Sequence, residues 1–151
     1  METPQIGNLY QQLILDHYRK PRNKGEMDER SVDVHVANPV CGDEIRLQLL
    51  IEGDRIAGAK FTGQGCSISQ AAVSIMTTLL EGRSLEDADA LADRFSDLMR
   101  GDAEAAGDRS LGDLRALQGV SKFPVRVKCA LLGFDALREA LRQNGAEGGA
   151  R

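Results

Sequence analysis

The sequence predicts an α+β fold: an N-terminal helix, a three-stranded antiparallel sheet, and then helices packed on one face of that sheet. Three observations predict it. Apolar residues recur at helical spacing before Pro21, alternate with a period of two between Val32 and Ile56, and return to helical spacing after Gly65. A run of strands followed by a run of helices is the pattern of helices segregated to one side of an antiparallel sheet.

Each element follows from its residues. Ile6, Leu9, Tyr10, Leu13, Ile14 and His17 mark an amphipathic helix that stops near Pro21, after which the chain is basic and rich in turns. "SVDVHVAN" alternates Val32, Val34 and Val36 with polar neighbours, and "IRLQLLI" does the same with Ile45, Leu47, Leu49 and Ile51. "EGDR" reads as a hairpin turn, so the third strand, "IAGAKFTG", pairs antiparallel with the second. Ile68, Ala71, Ala72, Ile75, Met76 and Leu79 form a helical stripe that ends at Gly82. Ser84 with Asp87 resembles a capping box opening the next helix, which carries Leu85, Ala88, Leu91, Ala92, Phe95 and Met99. "RGDAEAAGDRS" is a polar break, and "LGDLRALQGV" a short helix or turn. Pro124 marks the entry of a last helix with Ala130, Phe134, Leu137 and Leu141 on one face.

With 151 residues, 42% of them hydrophobic, the chain supports one ordinary domain, taken here as residues 1–143 with a disordered tail over 144–151. No apolar run approaches the roughly 20 residues that span a bilayer, and the N-terminus lacks a secretory layout, so a cytoplasmic protein is expected, with no membrane partner. A net charge of −4 argues against nucleic acid, which needs a clustered basic surface. Ten acids and four bases between Glu81 and Asp113 give that segment −6 and leave +2 for the rest. The acidity therefore belongs to one segment, which reads first as a solvated helical face and second as a docking surface.

Three cysteines are an odd number in a reducing compartment, so they are core filler, metal ligands or reactive groups. Cys41 lies in the turn between the first two strands, Cys66 where the third strand meets its helix, and Cys129 early in the last helix. A down-up-down meander brings the first two to one edge of the sheet. Cys129 joins them only if the last helix points its N-terminus there, and a cysteine so placed is, taken alone, more often a buried filler residue. Asp43 supplies a fourth donor. Three thiolates and a carboxylate suit tetrahedral zinc, and thiolates suit iron-sulfur clusters. Helix N-termini near Cys66 and Cys129, with Arg126 one turn before Cys129, favour thiolate over thiol.

"LYQQLILDHYRKPRNKG", "NPVCGDEI", "FTGQGCSISQAAVSIMT" and "VRVKCALLGFDAL" together resemble, in order, the IscU/NifU-type iron-sulfur cluster assembly scaffold family, and within it the SufU branch. The resemblance spans Leu9 to Leu141. It implies an IscU/SufU-like α+β fold, a metal site made from Cys41, Asp43, Cys66 and Cys129, and a SufS-type cysteine desulfurase as partner, with SUF cluster assembly proteins downstream. Two features select the branch. IscU-type scaffolds carry a histidine immediately before the third cysteine, where this chain has Lys128, and residues 100–119 resemble the insertion typical of SufU proteins. "SKFPVRVKC" stands in place of the stretch by which IscU-type proteins engage a dedicated chaperone.

On this resemblance the metal is Zn2+, with an iron-sulfur cluster as the alternative on Cys41, Cys66 and Cys129. Zinc with these four ligands leaves two net negative charges, which Arg126 and Lys128 offset from behind the ligands. Cys41, on a short loop beside Gly42, is the expected sulfur acceptor, while Asp43, Cys66 and Cys129 retain the metal. Three functions stay open: a zinc-dependent sulfurtransferase accepting persulfide sulfur, a non-enzymatic scaffold on which a cluster is assembled, and a domain held by structural zinc. His17 and His35 are expected in structural roles. The basic stretch from Tyr18 to Gly25 is either a solvated turn or part of the partner surface.

Overall fold

The computed structural model describes residues 8–40 and 42–148. It begins with α1 (Asn8–Arg19), continues through strands β1 (Val32–Asn38), β2 (Asp43–Glu52) and β3 (Arg55–Gln64), and then enters helices α2 (Ser67–Leu80) and α3 (Leu85–Met99). A single turn, α4 (Ala103–Ala106), and a 3-10 segment (Arg109–Lys122) lead to the long α5 (Pro124–Gly148). The stretch from residue 144 is helical as far as Gly148, and residues 149–151 lie outside the described ones. None of the described helices is long and apolar enough to cross a membrane.

The strands form one sheet in the order β1-β2-β3, antiparallel throughout. Val32 faces Leu49 and Asn38 faces Asp43 across β1 and β2, while Glu44 faces Gln64 and Glu52 faces Arg55 across β2 and β3. Because side chains alternate between the two faces of a strand, Val32, Val34, Ile45, Leu47, Leu49, Ala59 and Phe61 all turn inward and are buried. The other face is polar, with Arg46 donating to both carboxylate oxygens of Asp33 and His35 bonded to Glu44. His35 thus has the surface role expected of it.

The helices cover the apolar face. α5 packs on β1 and β2, and α2 on β3 and on α5. Gly133 lets those two helices approach, since a Cβ there would stand 3.0 Å from Val73 Cβ. Phe95 of α3 stacks on Phe134 of α5 with ring centroids 4.8 Å apart, a contact worth about 1 kcal/mol beyond its buried area. Ser84 caps α3 by accepting the Asp87 N–H at 3.0 Å, the first half of the expected capping box.

Two segments differ from the sequence reading in an informative way. The polar break contains the α4 turn, whose Ala105 is fully buried, and the stretch after it is a 3-10 run interrupted at Gly112. Leu111, Leu114, Leu117 and Val120 of that run are all buried, packed among α1, α2, α3 and α5. The 100–119 insertion is therefore part of the core, tied to α3 by Arg94, which donates to Asp108 at 2.8 Å. Likewise the basic stretch after α1 is more than a solvated turn. Its backbone borders β3, with Phe61 N–H donating to Asn23 and Gly25 N–H donating to Phe61, and this covers an edge that would otherwise expose unpaired amides.

On α1, Ile14 and His17 turn inward, whereas Tyr10, counted in the same stripe, stays 42% exposed. His17 meets the expectation of a structural role: it is buried, and its Nδ1 lies 2.8 Å from Ser74 Oγ on α2.

Candidate metal centre

Strand pairing and helix docking place the chemistry at one end of the sheet. Pairing of Asn38 with Asp43 closes the β1–β2 turn and starts β2 at Asp43, which is 2% exposed. Where β3 ends, Gly65 turns the chain into α2, and Cys66 becomes the N-cap residue: its Sγ accepts the Ser69 N–H at 3.4 Å. That side chain takes up one of the amides a helix start leaves unpaired. Cys129 lies in the second turn of α5, buried, with its Sγ 3.7 Å from the Val125 carbonyl.

These elements converge. Among the described residues, a carboxylate oxygen of Asp43 and the sulfurs of Cys66 and Cys129 lie within 4.8 Å of one another. Asp43 Oδ1 accepts the Cys66 N–H at 2.9 Å, and Oδ2 stands 3.6 Å from Cys66 Sγ. Two ligands of a tetrahedral zinc, one sulfur and one oxygen, are separated by about 3.5 Å given ordinary Zn–S and Zn–O lengths. The spacing and the donor set therefore both fit a zinc ion. Soft thiolates with one hard carboxylate also exclude a calcium- or magnesium-type site, which takes oxygen ligands only.

The fold brings Asp43, Cys66 and Cys129 together, and so meets the condition the sequence left open for Cys129, that α5 points its N-terminus toward the sheet edge. Cys41 lies outside the described residues. Of the cations expected behind the ligands, Arg126 lines a cavity of about 340 Å3 together with Val40, Asp43, Gly65, Cys66 and Cys129. Lys128 is exposed and does not line it. Two features were missed in the sequence. Val40, at 89% exposure, and Val125, at 65%, are bare apolar side chains at the mouth of this cavity. Their signal was a β-branched residue beside each site cysteine segment, "PVC" and "PVRVKC", which periodicity alone does not separate from core.

Comparison with known proteins gives the chain its family. The family model described as "NifU-like N terminal domain" matches residues 9–142, nearly the whole chain. The chain belongs to this family. It is 47% identical over 144 residues to the "Zinc-dependent sulfurtransferase SufU" of Bacillus subtilis, covering 95% of each protein. It is also 39% identical to the "Iron-sulfur cluster assembly scaffold protein IscU" of Streptococcus pyogenes, covering 95% of this chain and 89% of that one. Among solved structures, a putative iron-sulfur cluster assembly scaffold protein for the SUF system from Fervidobacterium islandicum superposes with a TM-score of 0.79 at 29% identity, covering 93% of this chain and 99% of that one. The N-terminal part of a NifU-like protein from Brucella abortus shares the fold, with a TM-score of 0.85 at 20% identity over 94% of this chain and 98% of that one. The NifU-like N-terminal domain is thus the architecture of one helix, a three-stranded meander and a helical cover that the sequence predicts.

Proposed function

We propose that the chain is a zinc-dependent sulfurtransferase of iron-sulfur cluster assembly, which accepts persulfide sulfur from a SufS-type cysteine desulfurase and hands it to downstream SUF assembly proteins in the cytoplasm. The observation that carries this reading is the convergence of Asp43, Cys66 and Cys129 beside an open cavity, in a relative of a zinc-dependent sulfurtransferase.

Asp43, Cys66 and Cys129 hold the metal together with Cys41, and bound zinc keeps its thiolate ligands ionised at neutral pH. Each residue of the chain then has a task. Cys41 is the acceptor: its sulfur attacks the outer sulfur of the donor persulfide, a new S–S bond forms on Cys41, and the donor's own cysteine leaves as the thiolate. No external oxidant or reductant enters, because the S–S bond is exchanged. Cys66 is held by the Ser69 amide and Cys129 is itself buried on α5, so neither side chain is free to swing. Val40, Val125 and Arg126 surround the entrance, where two bare apolar side chains and a cation form the contact surface for the desulfurase.

Incubation with a cysteine desulfurase and cysteine tests this. Persulfide should form on the wild-type chain and be absent from Cys41→Ala, with the fold retained by circular dichroism. Persulfide persisting on that variant would remove Cys41 from the role.

A second reading, a scaffold that assembles a cluster on Cys41, Cys66 and Cys129, is supported by the IscU-named relatives. Protein purified without oxygen separates the two: colourless with one zinc per chain for the first, brown with iron and sulfide for the second.

A further inference from the structure

The side chain of Asp43 occupies the space that a side chain on Gly65 would need. Gly65 has a φ of +151°, and a Cβ built on it would lie 2.3 Å from Asp43 Oδ1, 2.7 Å from Asp43 Cγ and 2.9 Å from Ser69 Oγ. Such distances are not tolerated by real Cβ atoms, so one group must move. Ser69 Oγ is the end of a side chain and can rotate. The Asp43 carboxylate has less freedom: the residue is 2% exposed, its backbone is fixed by pairing with Asn38, and Oδ1 is held by the Cys66 N–H at 2.9 Å.

We propose that Gly65 is a positioning residue of the metal centre. Its missing Cβ is the room in which Asp43 lies against the β3–α2 turn, anchored through Oδ1 to the Cys66 amide. That anchoring commits one oxygen and leaves Oδ2, 3.6 Å from Cys66 Sγ, as the single ligand oxygen. Asp43 is thereby a fixed, one-oxygen ligand, and the turn that carries Cys66 also orients Asp43. A methyl on Gly65 rotates the carboxylate off the amide and takes Oδ2 away from the thiols. The glycine immediately before the cysteine in "TGQGC" thus acts on a residue 22 positions earlier in the chain. This inference rests on the proposed metal reading of Asp43.

The test is a double-mutant cycle on zinc affinity, read by competition with a chromophoric chelator, using the wild-type protein, Asp43→Ala, Gly65→Ala and the double variant. Gly65→Ala should weaken binding about 10- to 100-fold, the range for loss of an orienting partner, and Asp43→Ala, which removes a ligand, by at least as much. The double variant should bind no more weakly than Asp43→Ala, because the methyl then displaces nothing. Thermal melting of the metal-free proteins runs alongside, since backbone strain at Gly65 lowers the melting temperature in both backgrounds while the affinity effect depends on Asp43. Wild-type affinity in Gly65→Ala, or penalties that add in the double variant, would overturn the proposal alone. Wild-type affinity in Asp43→Ala would overturn the metal reading and the proposal with it. If Gly65→Ala does not fold, hydrogen exchange of the Cys66 amide reads the anchor directly. Exchange should be slow in the metal-free wild type and fast in Asp43→Ala, and equal rates in the two would overturn the proposal.

Discussion

The imidazole of His17 and the hydroxyl of Ser74 meet 2.8 Å apart in a buried contact that fastens α1 to α2, and the same hydroxyl accepts the Arg22 N–H at 2.8 Å. One serine on the helix that Cys66 caps thus holds both the N-terminal helix and the loop after it.

This contact makes the fold sensitive to acid. Burial lowers the His17 pKa from its usual 6.5, the nearby Arg22 lowers it further, and the more weakly acting Asp113 and Asp16 raise it. A His that is harder to protonate when folded binds fewer protons than in the unfolded chain, so stability rises with pH across this range. The contribution is complete above about 6.5 and declines as pH falls toward the lower folded pKa. Urea midpoints of the metal-free protein should drop between pH 7.5 and 5.5 by more than those of His17→Gln, which keeps a polar partner for Ser74 without a titration. Parallel drops in the two proteins would remove His17 as the sensor.

Gly133→Ala tests whether helix spacing sets the metal centre. The added methyl stands 3.0 Å from Val73 Cβ and 3.1 Å from its Cγ2, and overpacking of this kind costs about 1–3 kcal/mol. Replacing a helical glycine returns about 1 kcal/mol of propensity, so a net loss of about 1 kcal/mol is expected in urea denaturation. Cys66 caps the start of α2 and Cys129 lies near the start of α5, so spreading the helices should also weaken zinc binding. Wild-type values of both quantities would mean that the pair is slack.

Val125→Asp probes the cavity mouth. Val125 is 65% exposed in the first turn of α5, where a carboxylate is favourable to the helix by about 0.5 kcal/mol, so melting temperature should not fall. A charge in the apolar contact should instead weaken the complex with the desulfurase by about tenfold or more, the cost of spoiling a central apolar contact. Unchanged affinity by calorimetry would place the docking surface elsewhere.

How much of this was legible beforehand depends on the range over which each feature is encoded. The strands from Val32 to Gln64 and the helices starting at Ser67, Leu85 and Pro124 follow from repeating apolar spacing and from residues such as Ser84 and Pro124, all of which act on their chain neighbours. Tyr10 misleads for the same reason, because spacing names a stripe and only the packing partner decides how wide it is. The polar residues 100–108 hid a buried turn at Ala105, and the leucines at 111, 114 and 117 recur every three residues, the period of a 3-10 run, a signal the reading as a short helix or turn did not use.

By itself the sequence determined the order of the strands and the main helices, the placing of Cys66 and Cys129 near helix starts, and the family resemblance that names a ligand set. Only the tertiary structure decided that α5 docks with Cys129 beside Cys66, that Asp43 turns one oxygen to an amide and the other to a thiol, and that Gly65 and Gly133 are where two segments touch too closely for a side chain. The physical reason is range. Periodicity and capping are set by neighbours along the chain, whereas the approach of residues 22 to 86 positions apart is set by how whole helices pack on a sheet.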